Sequence, residues 1–378
     1  MEFIIDVDSL QRAIKVLGIV VRTNAEDGTG RILIESIDQS IVFTANNGVT
    51  AISFTAANVD ILTPGIVAVE YGRIKAFVFS YKPWNGISGA DNFQFASDGR
   101  NTKITIDNRY SNEKIAKGEL RLANSNPTLI TKLPPFGEVS FILNSTIFKT
   151  ATNKILYAIN PQVDNNQPAL QGMSIQFDED SVFFAGSNGV VLSEYQVKNM
   201  GDYTIDNISL QYDFIMGLRR LITENIQLLW DVKGNKVSVK FGEIIYTGRK
   251  IIGHEFPEYK PVFDRYTNYI NLSKEFFIDA LHPFVDVLDV DDNCRITIEI
   301  KDKILKVFNS QATIEAELDI AGGLDFSIDL NGKLLIQTIE AIKDDFILFK
   351  FSDDKGFAIF DSSTFNDQKS LISSIKKR

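Results

Sequence analysis

Two stretches of this chain, 141 residues apart, are versions of one another, and a repeat of that length limits how the rest can fold. SIVFTANNGVTAISF (40–54) and SVFFAGSNGVVLSEY (181–195) match at Ser40/Ser181, Phe43/Phe184, Asn47/Asn188, Gly48/Gly189 and Val49/Val190. Each centres on Asn-Gly, which tolerates positive φ at little cost and predicts a tight turn between strands. Alternating runs, ILIESID (32–38) and MSIQFDED (173–180), precede both. RITIEIKDKILKVFNSQATIEAEL (295–318) is a weaker third version, with Asn309-Ser310-Gln311 at the turn. The period is domain-sized, well beyond the ~20–50 residues of a solenoid repeat.

The flanks repeat as well. A helix-like run precedes each version, opened by Asp8/Ser9, Asn144/Ser145 or Ser273, residues that satisfy free N–H groups of a first helical turn. A second helix-like run and a hairpin follow, with Gly99, Gly234 and Gly356 at the hairpin turns. In the third version Pro283 is expected to interrupt the first helix. The pattern predicts an α+β fold of three repeated domains, each with two helices packed on antiparallel sheets. Proline and glycine in KLPPFGE (132–138) and GHEFPEY (253–259) place the domains at 1–134, 135–254 and 255–378.

Catalytic equipment is scarce. His254 and His282 have no cysteine or acid at metal-ligand spacing, and the acidic clusters at 178–180, 289–292, 344–345 and 353–354 read as solvated turns between strands. GTG (28–30) and GISG (86–89) lack the lysine of a P-loop and the order of a dinucleotide turn. The expectation is a protein that is not an enzyme, with no catalytic residue, metal or cofactor. Cys294 is the single cysteine, so no intramolecular disulfide can form. No signal-peptide pattern opens the chain, and no run approaches the ~18 apolar residues of a membrane span. A cytoplasmic protein is expected.

A net charge of −10 argues against nucleic acid as a partner only if it is evenly spread. It is not. The helix-like windows 9–22, 71–82 and 145–159 carry Arg12, Lys15, Arg22, Arg73, Lys75, Lys82, Lys149 and Lys154, and no acid. A fourth window adds Arg219 and Arg220 against Asp213, and Lys198 completes the candidate set. Charges further apart than a Debye length of ~10 Å are largely screened, so a local basic surface attracts phosphate on an acidic molecule. Few aromatics sit among these residues, which suits non-specific contact with a duplex backbone better than base stacking. The alternative is that these are ordinary solvated helix faces.

One feature resists the bland reading. After the second Asn-Gly turn come Val190, Val191 and Leu192, three apolar residues in a row where a one-sided strand would alternate.

The repeat, the basic helices and the order of MEFIIDVDSLQRAI, EVSFILNSTIFKTATNKI, LQGMSIQF, FPEY, DLNGKLLIQTIEAI and a terminal LISSIKK together resemble the bacterial DNA sliding clamp, the β subunit of the replicative DNA polymerase. The resemblance covers the whole chain. It implies a head-to-tail homodimer that closes a ring around duplex DNA and tethers the polymerase and clamp loader. It also implies a cleft for short apolar partner peptides, here Leu170, Asn188, Gly189, Val190, Val191, Leu192, Pro257, Val262, Leu371 and Ser373. The apolar run would then line that cleft on one side and the core on the other. Ile104 and Ile106 on one side and Val287 and Leu288 on the other are the expected dimer contacts. Two departures stand out. The family's Asp-Gly-His-Arg-Leu turn is Asn188-Gly189-Val190-Val191-Leu192 here, and its Met-Pro-Met-Arg tail is Ser373-Ser374-Ile375-Lys376. Both fit a divergent or phage-encoded replicon and a different peptide preference. The rival class is an interaction or structural protein with the same fold that does not encircle DNA.

Overall fold

The order strand, helix, strands, helix, three strands runs through the chain three times in the computed structural model. The structure describes residues 1–22, 29–81, 92–109, 115–162, 167–198, 200, 203, 205–266, 268–285, 294–302, 304–309, 313–317, 325–351, 356–364 and 367–375. The first repeat holds β1 (Glu2–Asp6), α1 (Val7–Leu17), β2 (Arg31–Ile37), β3 (Ser40–Asn46), β4 (Ala51–Ala56), β5 (Val59–Thr63) and β6 (Ile66–Glu70). It continues with α2 (Tyr71–Ser80), β7 (Asn92–Ser97), β8 (Asn101–Arg109) and β9 (Ile115–Ala123). The second holds β10 (Phe141–Asn144), α3 (Ser145–Ile155), β11 (Gly172–Asp178), β12 (Ser181–Ser187) and β13 (Val191–Lys198). Then come β14 (Ile208–Gln211), α4 (Tyr212–Leu221), β15 (Gln227–Lys233), β16 (Lys236–Phe241) and β17 (Ile244–Arg249). A short α5 (Lys260–Phe263) precedes the third: β18 (Asn268–Ser273), α6 (Lys274–Val285), β19 (Arg295–Lys301), β20 (Ile304–Phe308) and β21 (Thr313–Glu317). It ends with β22 (Phe326–Asn331), α7 (Gly332–Ala341), β23 (Phe346–Phe351), β24 (Phe357–Ser362) and β25 (Gln368–Ser373).

These elements form two compact units, Met1–Ser145 with Met216–Arg249, and Thr146–Ile215 with Lys250–Arg378. The first unit has a five-stranded sheet, β5-β1-β7-β8-β9, and an eight-stranded one, β10-β15-β16-β17-β4-β3-β2-β6. The second has an eight-stranded sheet, β14-β11-β12-β13-β25-β24-β23-β18, and a four-stranded one, β21-β20-β19-β22. Each eight-stranded sheet is thus built from four strands of one repeat and four of the next. The seams are the antiparallel pairs β4–β17 and β13–β25.

Local chemistry explains the turns and caps. Gly48 and Gly189 both take φ of 86°, as the Asn-Gly pairs require. Asn47 Oδ1 accepts from the Val49 and Thr50 N–H groups, and Asn188 Oδ1 from those of Val190 and Val191, so the two turns are also bonded alike. Asp6, rather than Asp8 or Ser9, caps α1, its carboxylate accepting from Ser9 N at 2.7 Å. The helix therefore begins at Val7 and buries Val7, Leu10, Ala13, Ile14 and Leu17. Asn331 caps α7, accepting from Leu334 N at 3.1 Å. The expected break at Pro283 does not occur. α6 continues through it to Val285, because a proline this close to the end removes only one intrahelical donor.

The core of the second unit packs Phe277, Leu281 and Phe284 of α6 and Leu335 and Ile339 of α7 on Ile296, Ile298 and Ile300 of β19. Each such buried side chain contributes about 1.5–3 kcal/mol relative to exposure. Among the described residues, no helix is long and apolar enough to cross a membrane.

Candidate functional site

Neighbouring residues on a strand face opposite sides of a sheet, and this resolves the apolar run at 190–192. Val191 points to the helix side, where it joins the core with Ala158, Phe360 and Ile372. Leu192 points the other way, into a second cluster with Ala185, Tyr259, Phe263, Tyr266, Ile359 and Leu371, edged by Phe256, Val262 and Phe357. Val190, at the turn, is 43% exposed. A Cβ added to Gly189 would lie 3.8 Å from Leu170 Cδ1, so Leu170 stands over the same turn. Ser373 N donates to Val190 O at 2.8 Å and brings the final strand alongside.

The structure therefore gathers Leu170, Asn188, Gly189, Val190, Leu192, Val262, Leu371 and Ser373 around one outer apolar cluster. Pro257 is exposed beside Phe256 at its edge. Val191 is the exception among the predicted cleft residues, because strand alternation commits it to the core. Sequence reasoning missed Phe256, Tyr259, Phe263, Tyr266, Phe357 and Ile359. The aromatics of FPEYKPVFDRY were the available signal, and proline in the same segment disguised them as a linker.

Polar groups adjoin the cluster on the same face. Glu194 and Lys369 are paired across β13 and β25, and Asp361 and Lys369 across β25 and β24. Burial pushes the Glu194 carboxyl above the ordinary carboxylate range, opposed by the nearby Tyr259 hydroxyl and by Lys369 and Lys260. Burial likewise raises Tyr259, and Glu194 beside it adds to the effect. Asp361, fully buried, is also raised by burial, against the pull of Lys350, whose ammonium pairs with it.

The basic candidates divide. Lys15, Arg22, Lys75, Lys198 and Arg220 are exposed, whereas Lys149 and Arg219 are half-buried. Arg12 and Arg73 are exposed but paired with Glu243 at 3.0 Å and Glu70 at 3.2 Å. Exposed pairs of this kind are worth only about 0–1 kcal/mol, so a phosphate can displace the carboxylate. Lys154 is a correction. Its side chain is 5% exposed, with Nζ 2.9 Å from both Asp367 oxygens and 4.5 Å from the Tyr195 ring centroid. It fastens α3 to the start of β25 and is unavailable to an outside phosphate. Its partner lies 213 residues away, beyond any local charge pattern. Lys82 lies outside the described residues.

The expected dimer contacts also shift. Ile104 and Ile106 sit on β8, between β7 and β9, and both are buried. They fill the core of their sheet, in which β5 and β9 are the edge strands among the described residues. Val287 and Leu288 lie outside the described residues. Among the described residues, no group of histidines, cysteines or acids is arranged to hold a metal ion.

Solved structures share this architecture over its full length. The DNA polymerase III subunit beta from Pseudomonas aeruginosa superposes with a TM-score of 0.85 at 15% identity, covering 100% of both chains. The sliding clamp has the same fold. The DNA polymerase sliding clamp from Bacillus subtilis gives 0.85 at 14% identity, again over 100% of both chains. A DNA polymerase III beta subunit from Eubacterium rectale gives 0.84 at 17%, over 99% of both. No sequence-family model and no curated protein sequence matches the chain. At such low identity these matches show a shared fold through backbone geometry.

Two expectations follow from the cluster. The sequence resemblance suggests that Leu371→Ala would melt close to the parent. With Leu371 only 8% exposed among Leu192, Ile359 and Tyr259, the substitution is instead expected to cost about 2–5 kcal/mol of stability, read by calorimetric unfolding. The second concerns pH. A carboxyl whose folded-state pKa is raised binds protons more readily folded than unfolded, so stability falls as pH climbs from the unfolded value, near ~4.3 for Glu, through the folded one. Glu194→Gln removes that contribution. Melting curves from pH 4 to 8 should show the variant gaining on the parent towards pH 8; parallel curves would mean Glu194 does not titrate differently on folding.

Proposed function

We propose that the protein is a DNA sliding clamp, a non-catalytic processivity factor that encircles duplex DNA as a ring-shaped homodimer. In this reading its domains are 1–134, 135–254 and 255–378, and it acts in the cytoplasm with the replicative polymerase and clamp loader. The observation that carries it is the repetition of one seam rule within a clamp-like chain. At each seam the third strand of a repeat's first meander pairs with the last strand of the following repeat, β4 with β17 and β13 with β25. The strands left over are β21 and β9, and among the described residues both are free edges. A second copy that pairs its β9 with β21, and offers its own β21 to β9, extends the rule and closes the assembly. Head-to-tail contacts close rings in this way, and closure removes exposed edges that otherwise invite aggregation.

Charge supports the DNA assignment. Lys15, Arg22 and Arg220 are exposed cations on or next to helices in a chain of net charge −10, where acids dominate elsewhere. Phosphate contacts from such residues position a protein on duplex without reading sequence. The outer cluster beneath Val190 suits a partner peptide anchored by a few apolar side chains, with the remaining contacts near neutral. Without the family's histidine and arginine at the turn, a peptide suited to an ordinary bacterial clamp should bind weakly here.

The deciding experiment loads the protein onto nicked circular DNA and then linearises the circle. Retention before the cut and release after it is expected. Equal retention on both forms indicates binding without encirclement and favours the interaction-protein alternative. Charge reversal at Arg12, Arg22, Lys149 and Arg220 to glutamate should reduce loading several-fold while leaving the fold intact. The salt dependence of residual binding should also flatten, by nearly one unit of log–log slope for each phosphate no longer neutralised.

Closure has its own check. Successive backbone N–H groups on a strand point to opposite sides, so of Thr313→Pro and Ile314→Pro one removes a donor facing β20 and the other a donor facing the free edge of β21. Sedimentation at micromolar concentration should show a dimeric parent. One of the two variants should be a folded monomer; dimers from both would place the interface elsewhere.

A further inference from the structure

The two seams share a backbone plan and differ in chemistry at matched positions. Both lie at the centre of eight-stranded sheets and pair corresponding residues: Ala51–Thr247, Ile52–Tyr246, Ser53–Ile245 and Phe54–Ile244 in one, Leu192–Leu371, Ser193–Ser370, Glu194–Lys369 and Tyr195–Gln368 in the other. On the helix side, β4–β17 is sealed by Ile52, Phe54, Tyr246 and Ile244, all buried. Its outer side carries Ala51, Ser53 and a half-buried Ile245, with a Ser238–Thr247 hydroxyl contact at 2.9 Å.

At the matched positions of β13–β25 the helix side is mostly polar, and its core contact is the flanking Val191–Ile372 pair. Ser193 Oγ donates to Lys154 O at 2.9 Å and lies 3.1 Å from Ser370 Oγ, which accepts from the Tyr157 hydroxyl at 2.9 Å. The Gln368 side chain is fully buried, and neither of its amide atoms has a partner among the described residues. At those positions the aliphatic contacts lie on the outer side, where Leu192 and Leu371 pack beneath Tyr259 and Phe263.

We infer that β13–β25 is the compliant joint of the molecule and that the outer aromatic cluster is its fastener. Hydrogen bonds broken on opening are replaced by bonds to water, so the polar stretch from Ser193–Ser370 to Gln368 resists opening only weakly, and the unpartnered Gln368 amide gains by it. The apolar side of the seam does resist. It is formed by the segment from Phe256 to Tyr266 packed on Leu192, Ile359 and Leu371. A ligand held by this cluster therefore stiffens the joint beneath it. That second step rests on the cluster being the partner cleft proposed above; the inequality of the two seams does not.

Hydrogen–deuterium exchange of the full-length protein, read by mass spectrometry at peptide level, tests both steps. Amides of β13 and β25 should exchange at least tenfold faster than those of β4 and β17, which sit at matched positions in their own sheet. Equal or slower exchange overturns the inference. Tyr259→Ala should speed β13–β25 a further tenfold or more and leave β4–β17 unchanged. If that variant does not fold, Phe256→Ala, at the half-buried edge, should give a smaller change in the same place; uniform change at both seams counts against the fastener. Gln368→Leu should slow β13–β25.

For the second step the probe is acetyl-Leu-Ala-Leu-Phe-amide, with its affinity measured first by calorimetry. At a concentration one hundred times its Kd, seam exchange should slow by up to ~100-fold. Binding without slowing overturns the coupling. Absence of binding at millimolar peptide removes the coupling together with the cleft reading, and the comparison of seams in the free protein still decides the joint.

Discussion

The pairing of strands across repeat boundaries is the interaction on which this structure depends. A four-stranded half-repeat exposes an edge of unpaired N–H and C=O groups, and burying such groups without partners costs more than most side-chain contacts return. At β4–β17 and β13–β25 two half-repeats meet edge to edge and satisfy one another. The repeats are consequently fused into continuous sheets that cross their own boundaries. The chain divides between the two halves of the second repeat, so cohesion follows the sheets more closely than the sequence period.

Fusing sheets in this way separates two faces with different tasks. The helix-side face carries the core of Phe277, Leu335, Ile298 and their neighbours. The outer face is relieved of that duty and can hold a satellite cluster, which at β13–β25 it does with Leu192, Leu371 and the aromatics of 256–266. Alternation along one strand is enough to serve both, and Val191 and Leu192 show it within two consecutive residues. The same geometry explains Lys154, whose helix turns it towards Asp367 and Tyr195 at the inner side of the seam.

What could be read from the chain before folding was local. Asn47-Gly48 and Asn188-Gly189 announced their turns because few residue pairs accept positive φ. Regular placement of helices and strands around them exposed the repeat, and with it the α+β class. Much of the outer cluster and its rim was legible because Leu170, Val190, Leu192, Val262, Leu371 and Ser373 fall at recognisable places in that pattern. Tyr259 and Phe263 were hidden by neighbouring prolines. Ile104 and Ile106 look like edge residues in isolation, yet their strand is interior because β9 pairs outside it.

The sequence by itself determined the elements, their threefold recurrence and the imbalance of charge, since each depends on residues within a few positions of one another. Only the tertiary structure decided which strands meet, which face each seam gives to apolar side chains, and which cations stay free. Those outcomes depend on partners such as Asp367 for Lys154, Glu243 for Arg12 and Leu371 for Leu192. Contacts between residues so far apart in sequence leave no local periodicity. They come into being only when packing brings distant segments together.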